Sequence, residues 1–349
     1  SYLPFQCAGI QYALAREGTL IGDDMGLGKT VQALGVVNAD PTIQSVLVVC
    51  PASLRTNWRR EAERWLVRPF NIHVVEGNEP IPPEANFVIL NYEILITRTV
   101  VSGGEGAKKR REVPSAPFTS AMARTWDLLV VDEAHRVKNE DAKQTVAIVG
   151  AEEYDKAERR LNLTSEGLVH RSRRKVFLTG TPLPNRPIEL WPIVHALDPK
   201  EFPNRYQFSV RYAAGHRTRF GWDESGSSNL EELQNRLRST IMVRRLKTQV
   251  LTELPSKRRE VVLLPAEVAR DVMLKFASRY IDRKAKEQLR KGLDDFDPID
   301  WTEVQPEELV DRLIEEMEAR REEMERARAA GDPLAYDKAA KGLRNFLKV

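Results

Sequence analysis

This chain of 349 residues has only two cysteines, Cys7 and Cys50, and five histidines scattered singly. So few thiols exclude a disulfide framework, and both cysteines lie in apolar patterns that predict buried free thiols. The histidines show no metal-ligand spacing, which excludes a histidine-built metal centre. No apolar run approaches the roughly 20 residues of a membrane span, and no signal-peptide pattern opens the chain, so no membrane partner is expected. There is no internal repeat. Neither charge sign dominates: the net charge is +3, so any nucleic-acid surface must come from local basic clusters. The chain opens on Ser1 rather than Met, which reads as a piece of a longer protein.

What remains is an ordinary globular composition, 42% hydrophobic and 30% charged, long enough for about two or three compact units. Short β-branched runs alternate with helix-like stretches between residues 19 and 180. "TLIG" (19–22), "SVLVVC" (45–50), "NIHVVE" (71–76), "NFVILN" (86–91), "DLLVVD" (127–132) and "KVFLTG" (175–180) read as strands. Most are continuous apolar runs, the mark of a sheet covered on both faces. Helices are expected at "KTVQALGVVNA" (29–39) and "SLRTNWRREAERWL" (53–66). In the second, Ser53 is the candidate N-cap, and Leu54, Trp58, Ala62, Trp65 and Leu66 share a face. The alternation predicts an α/β fold, a mostly parallel sheet flanked by helices with its functional loops at the carboxyl ends of the strands. "SGGEGAKKRREVPSAP" (102–117) is expected to be an exposed basic loop, and 152–174 a charged insertion, part helix and part loop.

"IGDDMGLGKT" (21–30) ends as a phosphate-binding loop ends. A turn that wraps phosphate needs small residues so that backbone N–H groups converge, followed by a helix amino end. Gly26 and Gly28 meet that need directly after an apolar strand, with Asp24, Met25 and Leu27 completing the loop. Lys29 is placed for the β/γ phosphates of ATP, and the Thr30 hydroxyl for Mg2+. Asp23 stands where the strict pattern has its first glycine. The second half of the site is "DLLVVDEAH" (127–135). Its apolar run delivers Asp132 to the end of a neighbouring strand as a Mg2+ ligand, and Glu133 as the base for the attacking water. His135 is expected to couple rather than to bind metal.

Together these residues resemble the Swi/Snf family of helicase-like, DNA-translocating ATPases of helicase superfamily two. In that family the loop reads much like "DEMGLGKT", so Asp23 fits and Asp24 departs mildly from the usual Glu. The resemblance implies a RecA-like P-loop lobe with ATP and Mg2+ as cofactors, and it extends along most of the chain. "LPFQCAGIQYAL" resembles the Q motif, in which Gln6 would read the adenine edge. "LVVCPASLRTNW" and "VILNYEIL" resemble motifs Ia and Ib, implying DNA-backbone contacts by Pro51, Ser53, Asn91 and Tyr92. "DEAHRVKN" carries the DEAH box on to Lys138 and Asn139, also expected at DNA. "LTGTPLPNRPIELW" resembles motif III, where Thr179, Gly180 and Thr181 link the ATP site to DNA. "MVRRLKTQVLTELPSK" resembles the segment leaving the first lobe, with Arg244 and Arg245 bracing it. The spacer "RYAAGHR…FGWDESGSSNLEEL" is similar to the annealing-helicase branch, whose members rewind separated strands.

The resemblance implies a lobe over residues 1–264, with "REVVLL" (259–264) as its last strand, and a charged helical protrusion over 265–349 leading to a second RecA-like lobe not in this sequence. Double-stranded or forked DNA is the implied partner, in the cytoplasm or nucleoid of a prokaryote or virus, or in a eukaryotic nucleus. Basic clusters at 108–111, at 171–175 and at 244–247 could grip phosphates without sequence preference. Competing expectations are a strand-separating DNA or RNA helicase and a non-catalytic ATP- and DNA-binding scaffold. The scaffold predicts loss of the chemical residues, yet Lys29, Thr30, Asp132 and Glu133 are all present. A P-loop kinase or GTPase would need a lid or an N-K-x-D element, and neither occurs.

Overall fold

The computed structural model describes residues 1–96, 98–102, 109–155, 160–182, 186–219 and 221–251, with Glu253 and scattered residues from 278 to 330. The chain forms two compact units, Ser1–Leu254 and Pro255–Val349. The boundary expected at 264/265, "REVVLL" and most of the expected protrusion helices lie outside the described residues.

The first unit opens with helix α1 (Pro4–Leu14), strand β1 (Gly18–Ile21), helix α2 (Lys29–Ala39), strand β2 (Val46–Cys50) and helix α3 (Arg55–Trp65). Strands β3 (Ile72–Val74) and β4 (Phe87–Asn91) follow, then a ribbon of β5 (Arg98–Ser102) and β6 (Lys109–Val113), helix α4 (Ala116–Met122) and strand β7 (Trp126–Asp132). Helix α5 (Lys143–Val149) leads to a second ribbon, β8 (Ala151–Asp155) and β9 (Arg160–Ser165), and to strand β10 (Ser172–Leu178). Helices α6 (Trp191–Leu197) and α7 (Arg205–Tyr212), the hairpin of β11 (His216–Thr218) and β12 (Gly221–Asp223), helix α8 (Leu230–Thr240), strand β13 (Met242–Val243) and helix α9 (Lys247–Val250) complete it.

The main sheet has seven strands in the order β13-β1-β10-β7-β2-β4-β3, and every neighbouring pair is parallel. The apolar runs explain this layout, because each strand alternates its side chains between two covered faces. Val46 and Val48 pack with Ile10, Leu34, Val37, Trp58 and Ala62 of α1, α2 and α3. Leu47 and Val49 face the other layer, with Ala121, Ile148, Trp191, Phe208 and Leu237 of the remaining helices. Each large apolar side chain so buried contributes about 1.5–3 kcal/mol over exposure. Parallel pairing brings the carboxyl ends of β1, β10, β7, β2 and β4 to one edge, where the loops carrying the motifs emerge. The expected parallel sheet flanked by helices is borne out.

Local expectations need correction in several places. Ser53 is not the cap of α3: residues Ala52–Leu54 form a 3-10 turn, and Leu54 stands at the N-cap without a side-chain bond. The predicted apolar face of that helix is present, with Trp58 and Ala62 buried and Leu54, Trp65 and Leu66 packed beside them. The expected loop at 102–117 is instead an antiparallel ribbon, β5 against β6, running into α4. The insertion at 152–174 contains the β8–β9 ribbon, a 3-10 turn at Leu168–Arg171 and the start of β10, with no α-helix among its described residues. High charge masked β-pairing in both stretches, whose sequences carry no alternating apolar signal. Cys50 is buried as expected, and burial pushes its thiol up to about 12. Cys7 is exposed.

Candidate nucleotide site and its rim

The phosphate loop leaves β1 at Ile21 and enters α2 at Lys29. Gly26 and Gly28 have φ of +84° and +72°, a region that residues with a Cβ enter at a cost. This turn leads directly into the amino end of α2, the geometry that gathers N–H groups toward an anion. Leu27 is buried beneath the loop, Met25 is exposed above it, and Thr30 lies half-buried in the first turn of α2. The Lys29 ammonium donates to the carbonyls of Asp23 (3.0 Å) and Asp24 (3.4 Å). Burial lowers its pKa, while the charges of Glu133, Asp132, Asp23 and Asp24 pull it back up. The two halves of the motif set thus sense each other electrostatically.

Asp23 does not substitute for a phosphate-cradling glycine. It is fully buried, and its Oδ1 accepts from the Arg245 backbone N (2.9 Å) and Nε (3.0 Å). Its Oδ2 accepts from Arg245 Nη2 (2.7 Å) and Gln32 Nε2 (2.9 Å). Arg245 arrives there because β13 pairs with β1: Leu20 N donates to Ile241 O, Gly22 N to Val243 O and Asp24 N to Arg245 O. Arg244 is half-buried beside it. Arg245 also donates through Nη1 to the Phe5 carbonyl and Nη2 to Gln32 Oε1. Gln6, expected at the adenine edge, is buried with its amide engaged elsewhere. Its Oε1 accepts from Leu3 N (2.9 Å), and its Nε2 donates to Leu27 O (3.4 Å). In this structure it props the loop, and these two bonds leave one N–H and one acceptor direction of the amide open.

The expectation that Asp132 ends a strand adjacent to the loop's strand is corrected: β10 lies between β1 and β7. The tip of β10 is the motif III segment, so the TGT residues fill the gap between the two halves. A Cβ on Gly180 would stand 2.8 Å from Met25 Cγ and 3.6 Å from Lys29 Nζ, so a larger residue there would require the exposed Met25 side chain to shift. Thr179 is buried, and its Oγ1 accepts from Thr181 N at 3.1 Å. His135 Nδ1 lies 3.4 Å from Thr179 Oγ1 and 3.2 Å from Glu133 Oε2, so His135 touches both sides of the expected coupling. Glu133 has φ 51° and ψ 50°, a left-handed backbone for a non-glycine residue, of the kind that structures keep at functional sites.

Asp132 is only 6% exposed. Its Oδ2 accepts from the Trp58 indole Nε1 (2.8 Å) and its Oδ1 from Glu133 N (2.9 Å), while its carbonyl accepts from the Tyr92 hydroxyl (2.6 Å). Burial raises its pKa, against the lowering effect of the Trp58 bond and with a further push from the Glu133 charge. Each carboxylate oxygen keeps an unfilled acceptor direction. Thr30 and Asp132 thus offer hard oxygen donors, the set that Mg2+ takes with water and phosphate oxygens. The positive-φ loop and the Lys29 ammonium fit a triphosphate. Among the described residues no cluster of three or more His, Cys, Asp or Glu side chains forms a separate metal site.

The expected DNA rim is only partly exposed. Ser53 is exposed and Pro51 half-buried. Lys138 is exposed, 3.9 Å from Glu189 Oε1, and Asn139, also exposed, accepts from Asp141 N at 3.1 Å. Asn91 donates to Glu93 Oε2 (2.7 Å), and its buried Oδ1 has no partner among the described residues. Tyr92 is fully buried, with its hydroxyl on the Asp132 carbonyl. The basic cluster at 171–175 lies at the amino end of β10, away from the motif-bearing edge. There Arg174 donates to the carbonyls of Ala13 and Leu14 at the end of α1. Side chains of the 108–111 cluster are outside the described residues. Cavities of about 520 and 640 Å³ lie elsewhere, one at the amino ends of the strands beside Lys175 and His195, the other beside Phe202 and Tyr206. Neither includes a residue of the phosphate loop.

Sequence reasoning missed Trp58, Gln32 and the Asp23–Arg245 pairing. Trp58 read as a core residue of an amphipathic face, which it also is. Arg245 lies 222 positions from Asp23, a separation at which local spacing carries no signal.

The family model described as "SNF2-related domain" matches residues 5–294. The Xenopus tropicalis "SWI/SNF-related matrix-associated actin-dependent regulator of chromatin subfamily A-like protein 1" is 32% identical over 268 residues, covering 76% of this chain and 24% of that protein. The human "DNA annealing helicase and endonuclease ZRANB3" is 32% identical over 287 residues, covering 78% of this chain and 23% of that protein. The chain thus spans about a quarter of the length of these curated relatives. Among solved structures, the "Sulfolobus solfataricus SWI2/SNF2 ATPase core in complex with dsDNA" shares the fold, with TM-score 0.52 and 22% identity over 81% of this chain and 54% of that one.

Proposed function

The chain belongs to the SNF2-related family of ATPase motor domains, and from that premise we propose that it is the first motor lobe of an ATP-driven translocase on double-stranded or forked DNA. The observation that carries this reading is the convergence of the motifs at one sheet edge. The Lys29 ammonium lies within electrostatic reach of Glu133 and Asp132, and a Cβ added at Gly180, just past the tip of the strand between, would stand 3.6 Å from its Nζ. Bound Mg2+-ATP would supply an electrophilic γ-phosphorus and a leaving diphosphate. Toward it, the amides of residues 26–28 and Lys29 hold the phosphates, with Asp24, Met25 and Leu27 shaping the loop. Thr30 and Asp132 hold the metal. The Glu133 carboxylate orients the attacking water and takes its proton, and the Glu133–His135–Thr179 contacts relay the state of the site to the neighbouring tip.

Pro51, Ser53, Asn91, Lys138 and Asn139 form the DNA side of this reading. Exposed Ser53, Lys138 and Asn139 suit backbone contacts, which grip any sequence. The buried orphan acceptor on Asn91 suits a partner that arrives with DNA or with rearrangement of the rim. A second RecA-like lobe, supplying cations against the charge that develops on the phosphate, completes the enzyme. The isolated chain therefore turns over ATP weakly or not at all. The similarity to the human DNA annealing helicase favours strand rewinding at forks as the use of this motor, in whichever compartment holds the DNA.

The test is ATP hydrolysis by the full-length protein with duplex DNA, forked DNA, single-stranded DNA and RNA. Duplex or forked DNA should stimulate most, and strongest stimulation by RNA would overturn the assignment. Glu133→Gln should keep nucleotide binding and lower DNA-dependent turnover by about 10²–10⁴-fold. Unchanged turnover would remove Glu133 from the role of base.

A further inference from the structure

Two aromatic side chains from separate parts of the rim end on the same residue. Trp58 lies in α3, five positions after Ser53 of the preceding 3-10 turn, and is 1% exposed. Its indole N–H donates to Asp132 Oδ2 at 2.8 Å. Tyr92 directly follows Asn91 and is fully buried, and its hydroxyl donates to the Asp132 carbonyl at 2.6 Å and lies 3.4 Å from the Glu133 carbonyl. Arg136, just past the DEAH residues, lays its guanidinium 4.6 Å from the Tyr92 ring centre and pairs with Glu93 at 2.9 Å. Asp132 is thereby fixed at its carboxylate from the segment after β2 and at its backbone from the segment after β4. A buried indole or phenol needs a hydrogen-bond partner, but a nearby carbonyl would satisfy either one. A carboxylate left with room for a metal is a more consequential partner, because outer contacts set the orientation and affinity of a metal ligand.

We propose that Trp58 and Tyr92 are positioning residues that transmit DNA engagement at Pro51–Ser53 and at Asn91 to the metal-holding Asp132. This rests on the ATPase reading above. A shift of the 51–54 turn moves the start of α3 and with it the indole, while a shift at Asn91 moves the adjoining phenol. Both reach Asp132 without passing through motif III, so this link runs in parallel with the Glu133–His135–Thr179 contacts.

The test uses the full-length protein with Trp58→Phe and Tyr92→Phe. Binding of a fluorescent ATP analogue is titrated with Mg2+, with and without duplex DNA, while duplex affinity is followed by anisotropy and folding by thermal denaturation without metal. In the parent, duplex DNA should lower the half-saturating Mg2+ concentration. Trp58→Phe should raise that concentration by about tenfold or more and abolish its response to DNA, with duplex affinity in the absence of Mg2+ unchanged and its rise on adding Mg2+ lost. Should Trp58→Phe fail to fold, Tyr92→Phe, which loses only a hydroxyl, should weaken the DNA response in the same direction. Variants that fold and keep the parent's metal dependence and DNA response overturn the coupling alone. Equal loss of nucleotide binding at every Mg2+ concentration also overturns it, since that pattern marks a packing defect. A parent with no Mg2+-dependent nucleotide binding overturns the ATPase reading and the coupling with it.

Discussion

Asp23 and Asp132 make an instructive pair. Both are buried carboxylates, one just past the tip of β1 and the other at the tip of β7. Asp23 accepts from four donors, three on Arg245 and one on Gln32, so both of its oxygens are saturated by protein. Asp132 takes one donor on each oxygen, from Trp58 and Glu133, and keeps acceptor capacity on both. The same side chain, similarly buried, becomes a clamp where donors saturate it and a candidate metal ligand where they do not. Burial alone does not separate structural from chemical acids, whereas the count of donors and what they leave open does.

The contrast can be broken most forcefully at the clamp. Arg245→Met leaves the Asp23 charge buried without its cation and should lower stability by about 3–5 kcal/mol, read as a lower midpoint in urea denaturation. A loss within about 0.5 kcal/mol, typical of an ordinary surface substitution, would show that Asp23 is not held as a paired buried charge. A smaller effect on stability is expected on the chemical side. Asp132→Asn should change stability at neutral pH by on the order of 1 kcal/mol or less, while DNA-dependent turnover is lost. Its sign with pH is set by burial, which raises the Asp132 pKa in the fold. The folded state therefore favours the protonated acid, a stabilisation present below the ordinary carboxylate value and lost as pH rises through the raised one. The non-ionising variant should gain on the parent over that window, and a parent that gains on the variant as pH rises would contradict the direction of the shift.

The sheet, the edge that carries the motifs and the spans of α2 and most strands were legible in the sequence, because continuous apolar runs and glycine-punctuated loops are local signals. The phosphate loop was legible for the same reason: Gly26, Gly28, Lys29 and Thr30 act within one turn. Contacts that depend on strand order were not. That β10 separates β1 from β7, and that β13 returns Arg245 to Asp23, follows from pairing between distant segments. The two ribbons were missed because the Lys and Arg run in β6 and the acidic start of β8 read as solvated loop and carry no apolar alternation. The burial of Tyr92 was not legible for a different reason. Its neighbour Asn91 does reach the motif-bearing edge, but the chain turns into a 3-10 helix at Tyr92, which carries the ring inward.

The most direct measurement is a structure of the protein with Mg2+ and a non-hydrolysable ATP analogue. The terminal phosphates should lie against Lys29 Nζ and the amides near Gly28, with the metal reached by the Thr30 hydroxyl and the Asp132 carboxylate. A metal–triphosphate bound to only one of these two halves, with Lys29 and Asp132 too far apart to share it, would contradict a single site built across β1, β10 and β7.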